Sequence, residues 1–429
     1  MTENLLVKIK DIEYGPLNKR ELESLIENGE FNVTDQVWLE DESEWVKADN
    51  IEELRLLFSG GRQTRTKKIM AVGSGKGGVG KTVLTASIGM SLAMLGERTV
   101  LIDADFGGAN LHTCMGIVYP NRTFFDYYTL QVDSLNDILL DTPIEKLKLI
   151  SGSSGILGLA NPKYFQKLRL INELRNLDAN YVILDLGAGS SLDIIDYFLA
   201  VDEGIVITTP EPTAIQECFD FIKICLLRKL QRTFKDEPAI LRLFSIEGIA
   251  NLKKFNEPFD TLLEKSARIS VEIETRMRAI LEAFTVRLIL NMVMNPNEVK
   301  EGISIKLAAA ELLSIDLDYM GYIEFDEVVH DSVVNMRPFI LHNPKSRASR
   351  SLAQLVSLKM LNKSRIDSFL AKRKIKRNIG NVVTQYSSMN SIENRTICSV
   401  KCFYWDDCEY KNGGFPCTIR HLEPLFHKK

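Results

Sequence analysis

The sequence predicts an α/β fold: a mainly parallel sheet flanked by helices, with a small α+β domain before it and a small cysteine-rich segment after it. Three observations carry that expectation. A glycine-rich stretch, Ala71 to Thr82 (AVGSGKGGVGKT), fits G-x-x-x-x-G-K-[ST] with Gly75, Gly80, Lys81 and Thr82. Two apolar runs, Thr99 to Asp105 and Tyr181 to Asp185, each end in carboxylates. Strand-like runs then alternate with stretches of helical spacing, the pattern of a parallel sheet covered on both faces.

The glycine-rich stretch has the context its chemistry needs. It follows the short apolar run Lys68 to Val72 and precedes Val83 to Leu95, whose apolar residues recur at helical spacing before Gly96 closes the helix. Backbone N–H groups of Gly75, Lys76, Gly77, Gly78, Val79 and Gly80 are placed to wrap the phosphates of a nucleotide. Lys81 supplies positive charge at the β- and γ-phosphates, and the Thr82 hydroxyl serves Mg²⁺.

Composition narrows the class. The chain has 429 residues, 45% hydrophobic and 26% charged, with a net charge of −4, which suits a globular protein of two or three domains and excludes a general polycation. MTENLLVKIKDIEYG lacks the apolar core of a signal peptide, and no window reaches the about 18 apolar residues of a membrane span. Seven cysteines beside a nucleotide-binding loop point to a reducing cytosol, where clustered thiols more often hold metal than form disulfides.

Residues 4–58 read as a separate domain: a strand over Leu5 to Ile12, a turn at Tyr14-Gly15-Pro16, a helix over Lys19 to Asn28, and a strand at Val37-Trp38-Leu39. The pattern Y-G-P-L, E-L-x-x-L-I-x-x-G, V-W, E-W-V-x-A resembles the GYF-2 type of GYF domain. That resemblance implies a module docking proline-rich or extended peptides; the alternative is that Tyr14, Trp38 and Trp45 are core. Residues 59–66, polar and rich in glycine, read as a linker.

In the region 67–360, the acids at strand ends fall where ligands of parallel sheets sit. Asp105 is placed to face the γ-phosphate and its attacking water, and Asp185, followed by Leu186-Gly-Ala-Gly189, to hold Mg²⁺ directly or through water. Later strands are expected at Gly204 to Pro210, Arg287 to Val293 and Tyr319 to Phe325, with helices near 213–230 and 301–314.

Lys76-Gly-Gly-Val-Gly-Lys-Thr82 has an additional lysine in the second position of the loop, and it resembles the deviant Walker A motif of the MinD/ParA family. Asp103-Ala-Asp105, Gly107 to Leu111, Asp185 to Gly189, Thr209-Pro-Glu-Pro212 and Leu290-Asn-Met292 follow in the family's order, with greatest similarity to its flagellar-number regulators of the FlhG (FleN) type. The resemblance implies an ATPase that forms an ATP-dependent homodimer, in which Lys76 of each subunit reaches the phosphates bound by the other. It also implies that Asn291 recognises adenine, that Asp105 positions water, and that the protein counts or places a cellular structure. Other branches of the family offer two alternatives, a ParA-like DNA-partitioning ATPase and an Mrp-like iron–sulfur carrier.

Three features depart from the family pattern. An additional stretch, about 231–283, contains a charged helix-like run from Asp260 to Phe284. Lys345 to Arg377 holds eleven Lys or Arg against the single acid Asp367, interleaved with Leu352, Leu355, Leu358 and Leu361. Such a segment either contacts anionic membrane or nucleic acid, or closes the core with its apolar face. After the basic helical or linker segment 361–397, the tail 398–429 carries Cys398, Cys402, Cys408 and Cys417, with His421 and His427 nearby, a set suited to Zn²⁺ or an iron–sulfur cluster, or left as free thiols. His112 and Phe124 to Tyr128 read as packing rather than ligands.

Overall fold

The structure is a computed structural model. It describes residues 67–117, 120, 122–152, 164–244, 257–361, 379 and 382–383, and, nearer the N-terminus, 5–9, 12–17, 21–22, 25–26, 31–39, 44–51 and 54. The chain divides into two compact units, Met1–Lys67 and Lys68–Lys429.

The N-terminal unit is an antiparallel sheet of order β2-β1-β3-β4, formed by β1 (Leu5–Ile9), β2 (Ile12–Leu17), β3 (Gln36–Leu39) and β4 (Glu44–Lys47). Val7 pairs with Val37, and Val37 with Val46, and Val7 and Val37 are buried with Leu22, Phe31, Ala48 and Leu54 as the core. The single strand expected over Leu5 to Ile12 is instead a hairpin, and Tyr14-Gly15-Pro16 lies inside β2 rather than in a turn. Pro16 is tolerated there because β2 is an edge strand, where a missing N–H breaks no ladder. Trp38 and Trp45 face each other across β3 and β4 as an edge-to-face pair with centroids 5.5 Å apart, both half-buried, and Tyr14 is exposed. None of the three aromatics belongs to the fully buried core.

The larger unit is built on an eight-stranded sheet of order β12-β11-β10-β5-β9-β6-β8-β7. Its strands are β5 (Lys68–Ser74), β6 (Thr99–Ala104), β7 (Leu140–Asp141), β8 (Leu147–Ile150), β9 (Tyr181–Ala188), β10 (Glu203–Thr208), β11 (Val286–Val293) and β12 (Asp318–Glu324). All neighbours are parallel except β7 and β8. β5 lies between β9 and β10, so the loop that follows it opens at the middle of the sheet's carboxyl edge. Two core clusters include alternate residues of the central strands, Ile69 and Ala71 in one and Met70 and Val72 in the other, as expected of a sheet covered on both sides.

The helices are α1 (Lys81–Met94), α2 (Leu111–Cys114), α3 (Phe124–Tyr128), α4 (Tyr164–Leu174), α5 (Leu192–Phe198), α6 (Pro212–Thr233), α7 (Pro238–Leu243), α8 (Phe259–Ile269), α9 (Val271–Glu282), α10 (Val299–Leu313), α11 (Glu327–Val334), α12 (Phe339–His342) and α13 (Arg347–Leu355). The charged run expected from Asp260 to Phe284 is two helices, α8 and α9. Ser270 breaks it with an extended backbone and caps α9 by accepting from Glu272 N at 3.2 Å. Phe124, Tyr127 and Tyr128 of α3 are buried, and the His112 imidazole lies 3.5 Å from the Ser151 hydroxyl.

Helix α13 lies at the start of the basic segment. Ala348, Leu352, Leu355 and Val356 are buried in the core, while Lys345, Arg347, Arg350 and Lys359 are exposed. Over 347–361 the apolar face therefore closes the core and is not free to enter a membrane. No helix among the described residues is long and apolar enough to cross one. Residues 362–377, Cys398, Cys402, Cys408, Cys417, His421 and His427 lie outside the described residues.

Candidate functional site

The loop between β5 and α1 is shaped by its glycines. A Cβ on Gly75 would lie 2.0 Å from the Glu217 carbonyl of α6, so only glycine lets the loop pass that close to the helix backbone. Gly78 and Gly80 take φ of 81° and 83°, left-handed values that turn the chain into α1. The first turn of α1 begins with Lys81, whose backbone N–H belongs to the unpaired donors of a helix start.

Helix α1 and two strands, β6 and β9, deliver charged groups to this loop. Lys81 Nζ lies 2.9 Å from Asp185 Oδ1 and 3.4 Å from the Thr82 hydroxyl. Thr85 Oγ1 also donates to Asp185 Oδ1, at 3.0 Å. Both members of the ion pair are buried, at 7% and 1% side-chain exposure. Burial raises the Asp185 carboxyl above its usual range, and Lys81 opposes that shift. Asp103 stands opposite Asp185 in the β6–β9 register, fully buried, and accepts from Leu111 N at 2.9 Å and Asp105 N at 3.3 Å. Burial, then the Asp185 charge, pushes its carboxyl up to about 7. Asp105 is half-buried, and its Oδ1 accepts from Gly107 N at 3.2 Å and Gly108 N at 3.0 Å, against Gly187 of β9.

Lys76 points elsewhere. Its ammonium donates to Glu211 Oε2 and Thr213 Oγ1, each at 2.8 Å, at the start of α6. Asn291 is buried at the end of β11, beside Met292 with φ 59° in a register shift, and its Nδ2 donates to the Val79 carbonyl at 2.8 Å. One amide hydrogen of Asn291 is thus spent on the loop, which leaves its carbonyl and second N–H for a base.

A cavity of about 560 Å³ joins these groups, running from Lys81, Thr82, Asp105 and Asn110 past Cys114 to Asn291, Met292, Phe325 and His330. Burial pushes the Cys114 thiol up to about 12, so this lining residue is a neutral thiol. Asp326 carries the cavity wall: its Oδ1 accepts from Val328 N at the start of α11, and its Oδ2 from Arg347 N and Ala348 N at the start of α13. The sequence reading missed Glu211 and Thr213 as partners of Lys76, and the wall from Phe325 to His330. Pro212, favoured at the first position of a helix, is the one signal that placed Glu211 at an α6 terminus.

A family model described as an AAA domain matches residues 67–240, and one described as GYF domain 2 matches residues 7–54. The chain is 32% identical over 199 residues to the septum site-determining protein MinD of Synechocystis, covering 43% of this chain and 72% of that protein. The chain belongs to the MinD/ParA family of P-loop ATPases. Within the family it is also 31% identical over 159 residues to the antiactivator FleN of Pseudomonas aeruginosa, covering 37% of this chain and 56% of that protein. The chain spans about half the length of the first curated relatives it matches. Among solved structures, MinD complexed with Mg-ADP from Pyrococcus horikoshii is similar at 18% identity and a TM-score of 0.47, over 69% of this chain and 98% of that one.

The donor set fits a magnesium ion. Among the described residues Asp185 Oδ2 is buried without a hydrogen-bond partner, an oxygen left for a hard cation, and the Thr82 hydroxyl lies beside Lys81. Among the described residues no group of three or more His, Cys, Asp or Glu holds a metal by itself. Phosphate oxygens and water would complete the shell, as is usual for Mg²⁺.

Proposed function

We propose that this protein is an ATP-hydrolysing switch that dimerises on ATP and positions or counts a cellular structure, with FlhG-like control of flagellar number as its specific form. The observation that carries the reading is the meeting of Lys81, Asp185 and Asp105, from α1 and the ends of β9 and β6, on a loop shaped for phosphate. Lys81 exchanges Asp185 for the β- and γ-phosphates as nucleotide enters. Mg²⁺, when bound, neutralises phosphate charge, with Thr82 and Asp185 as its protein ligands. Asp105 orients the attacking water, and its hydrogen bonds from Gly107 and Gly108 limit its rotation. Asn291 holds the Val79 carbonyl and contacts adenine with its remaining groups. Lys76, released from Glu211 and Thr213, meets the phosphates of a second subunit, where a cation offsets the charge of phosphoryl transfer.

Trp38 and Trp45 support peptide docking by the N-terminal unit, since they lie on the sheet face opposite the buried Val37 and are half exposed. The test is size by light scattering with ATP and Mg²⁺. The expected result is a monomer that becomes a dimer, a trapped dimer in Asp105→Ala and no dimer in Lys76→Ala. ATP binding without dimerisation in every variant would overturn the switch.

A second reading concerns the matrix. With the apolar face of α13 packed in the core, Lys345, Arg347, Arg350 and Lys359 form a surface that favours electrostatic contact with duplex DNA over membrane insertion. Affinity for duplex DNA falling steeply with salt supports it, and no binding at low salt rejects it.

A further inference from the structure

Asp105 is followed by a residue that no nucleotide contact requires. Phe106 is 7% exposed and inserts among aromatic rings from two helices. Its ring meets Phe124 edge-on at 5.4 Å and Tyr128 edge-on at 5.6 Å, both from α3, and tilts against Tyr197 of α5 at 6.2 Å. Edge-to-face contacts of this kind fix ring orientation as well as burying area.

The cage joins the two segments that meet at the site, the turn after β6 and the end of β9. From one side come Asp105 and Phe106. From the other comes the C-terminal half of β9, Asp185 to Ala188, which α5 follows: Gly187 has no Cβ, and one placed there would meet Asp105 Oδ1 and Ile194 Cδ1 of α5, each at 3.3 Å. Among the described residues the Asp105 carboxylate is held by the N–H groups of Gly107 and Gly108, in a stretch whose two glycines are exposed and contribute no packing of their own. Phe106 is thus the buried side chain in this turn, and it ties the turn to the sheet's helical layer.

We propose that Phe106 is a positioning residue for hydrolysis: its insertion in the Phe124, Tyr128 and Tyr197 cage sets the placement of the Asp105 carboxylate. The proposal rests on the reading of Asp105 as the residue that orients the attacking water. Misplacement of a reacting group by about 1 Å costs on the order of a hundredfold in rate. Loss of the anchor therefore lowers kcat while leaving the loop from Gly75 to Thr82, and with it ATP affinity, intact.

The test uses the full chain and steady-state ATP turnover, with ATP affinity read separately by a fluorescent analogue. Phe106→Ala is expected to lower kcat by about tenfold to a hundredfold with ATP affinity within about threefold of wild type. Phe106→Leu, which keeps an apolar anchor of similar reach, is expected to restore most of kcat, and Phe106→Val, too short to fill the cage, stands in if the alanine variant does not fold and is expected to lower kcat in the same direction. In an Asp105→Ala background, Phe106→Ala is expected to cost nothing further, because residues acting through one group are not additive. Unchanged kcat in Phe106→Ala, or in Phe106→Val where it stands in, overturns the proposal, as does an equal further loss in the Asp105→Ala background or a loss of ATP affinity that matches the loss of rate. Wild-type turnover by Asp105→Ala alone removes the reading beneath the proposal, and the proposal with it.

Discussion

Asp185→Asn tests the electrostatic centre of the site. The Lys81–Asp185 pair is 2.9 Å apart, with side chains 7% and 1% exposed, so the variant leaves an ammonium group buried beside a neutral amide. Removing one partner of a buried pair costs about 3–5 kcal/mol, a large share of the about 5–15 kcal/mol that holds a typical domain together. Thr85 still has an oxygen to donate to, so the loss reports charge rather than hydrogen bonding. Urea unfolding of the variant is expected to show a loss of at least about 2 kcal/mol, somewhat below that range because the site relaxes. The same change alters binding in the opposite direction. In wild type, phosphate must draw Lys81 away from Asp185, whereas in Asp185→Asn the ammonium is already without its anion. Metal-free ADP is therefore expected to bind the variant more tightly, by about tenfold if about 1.4 kcal/mol of the pair's energy is recovered. Mg²⁺ should enhance binding to wild type and not to the variant. The reasoning fails if Asp185→Asn unfolds within about 1 kcal/mol of wild type, or if metal-free ADP binds it more weakly than wild type.

Glu211→Gln releases Lys76 from a pair that is 37% and 64% exposed, worth at most about 1 kcal/mol, and is expected to tighten ATP-dependent self-association by up to about fivefold in a light-scattering titration. Weaker association would show that Glu211 contributes to the contact instead of restraining it. Gly75→Ala places a Cβ 2.0 Å from the Glu217 carbonyl and is expected to abolish binding of a fluorescent ATP analogue, while near-native affinity would show that the loop and α6 separate easily. Tyr127→Phe removes a buried hydroxyl that has no hydrogen-bond partner among the described residues, so its urea midpoint should match or exceed that of wild type, and a loss above about 1 kcal/mol would reveal a partner. Burial lowers the pKa of His112 from its ordinary 6.5. The unfolded chain then binds more protons at His112 than the folded one just below that value, so the His112 contribution to stability falls as pH drops through about 6.5. Asp103, pushed up to about 7, contributes with the opposite sign, so it is the stability of wild type relative to His112→Gln that should fall over that range.

Much of the site was legible locally. The phosphate loop is written in contiguous residues because glycines at fixed offsets are what the left-handed turns and the approach to α6 require. Asp105 and Asp185 were legible because an apolar run ending in an acid places that acid at a sheet edge, whichever strands lie beside it. β7 and β8 were missed because Leu140–Asp141 and Leu147–Ile150 are too short to show a period. The break between α8 and α9 was missed because the hydrophobic spacing runs on through Ser270, whose capping role appears only in its backbone.

By itself, then, the sequence determined the α/β class, the loop and the acids, since each rests on neighbours within a few residues. Tertiary structure decided where the side chains go. Asn291 reaches the Val79 carbonyl across 212 residues, and Lys76 reaches Glu211 across 135. The apolar face of α13 was equally suited to a membrane or a core until β12 and α1 were folded against it. Such choices depend on which surfaces long-range packing brings within a few ångströms, and no local pattern encodes that.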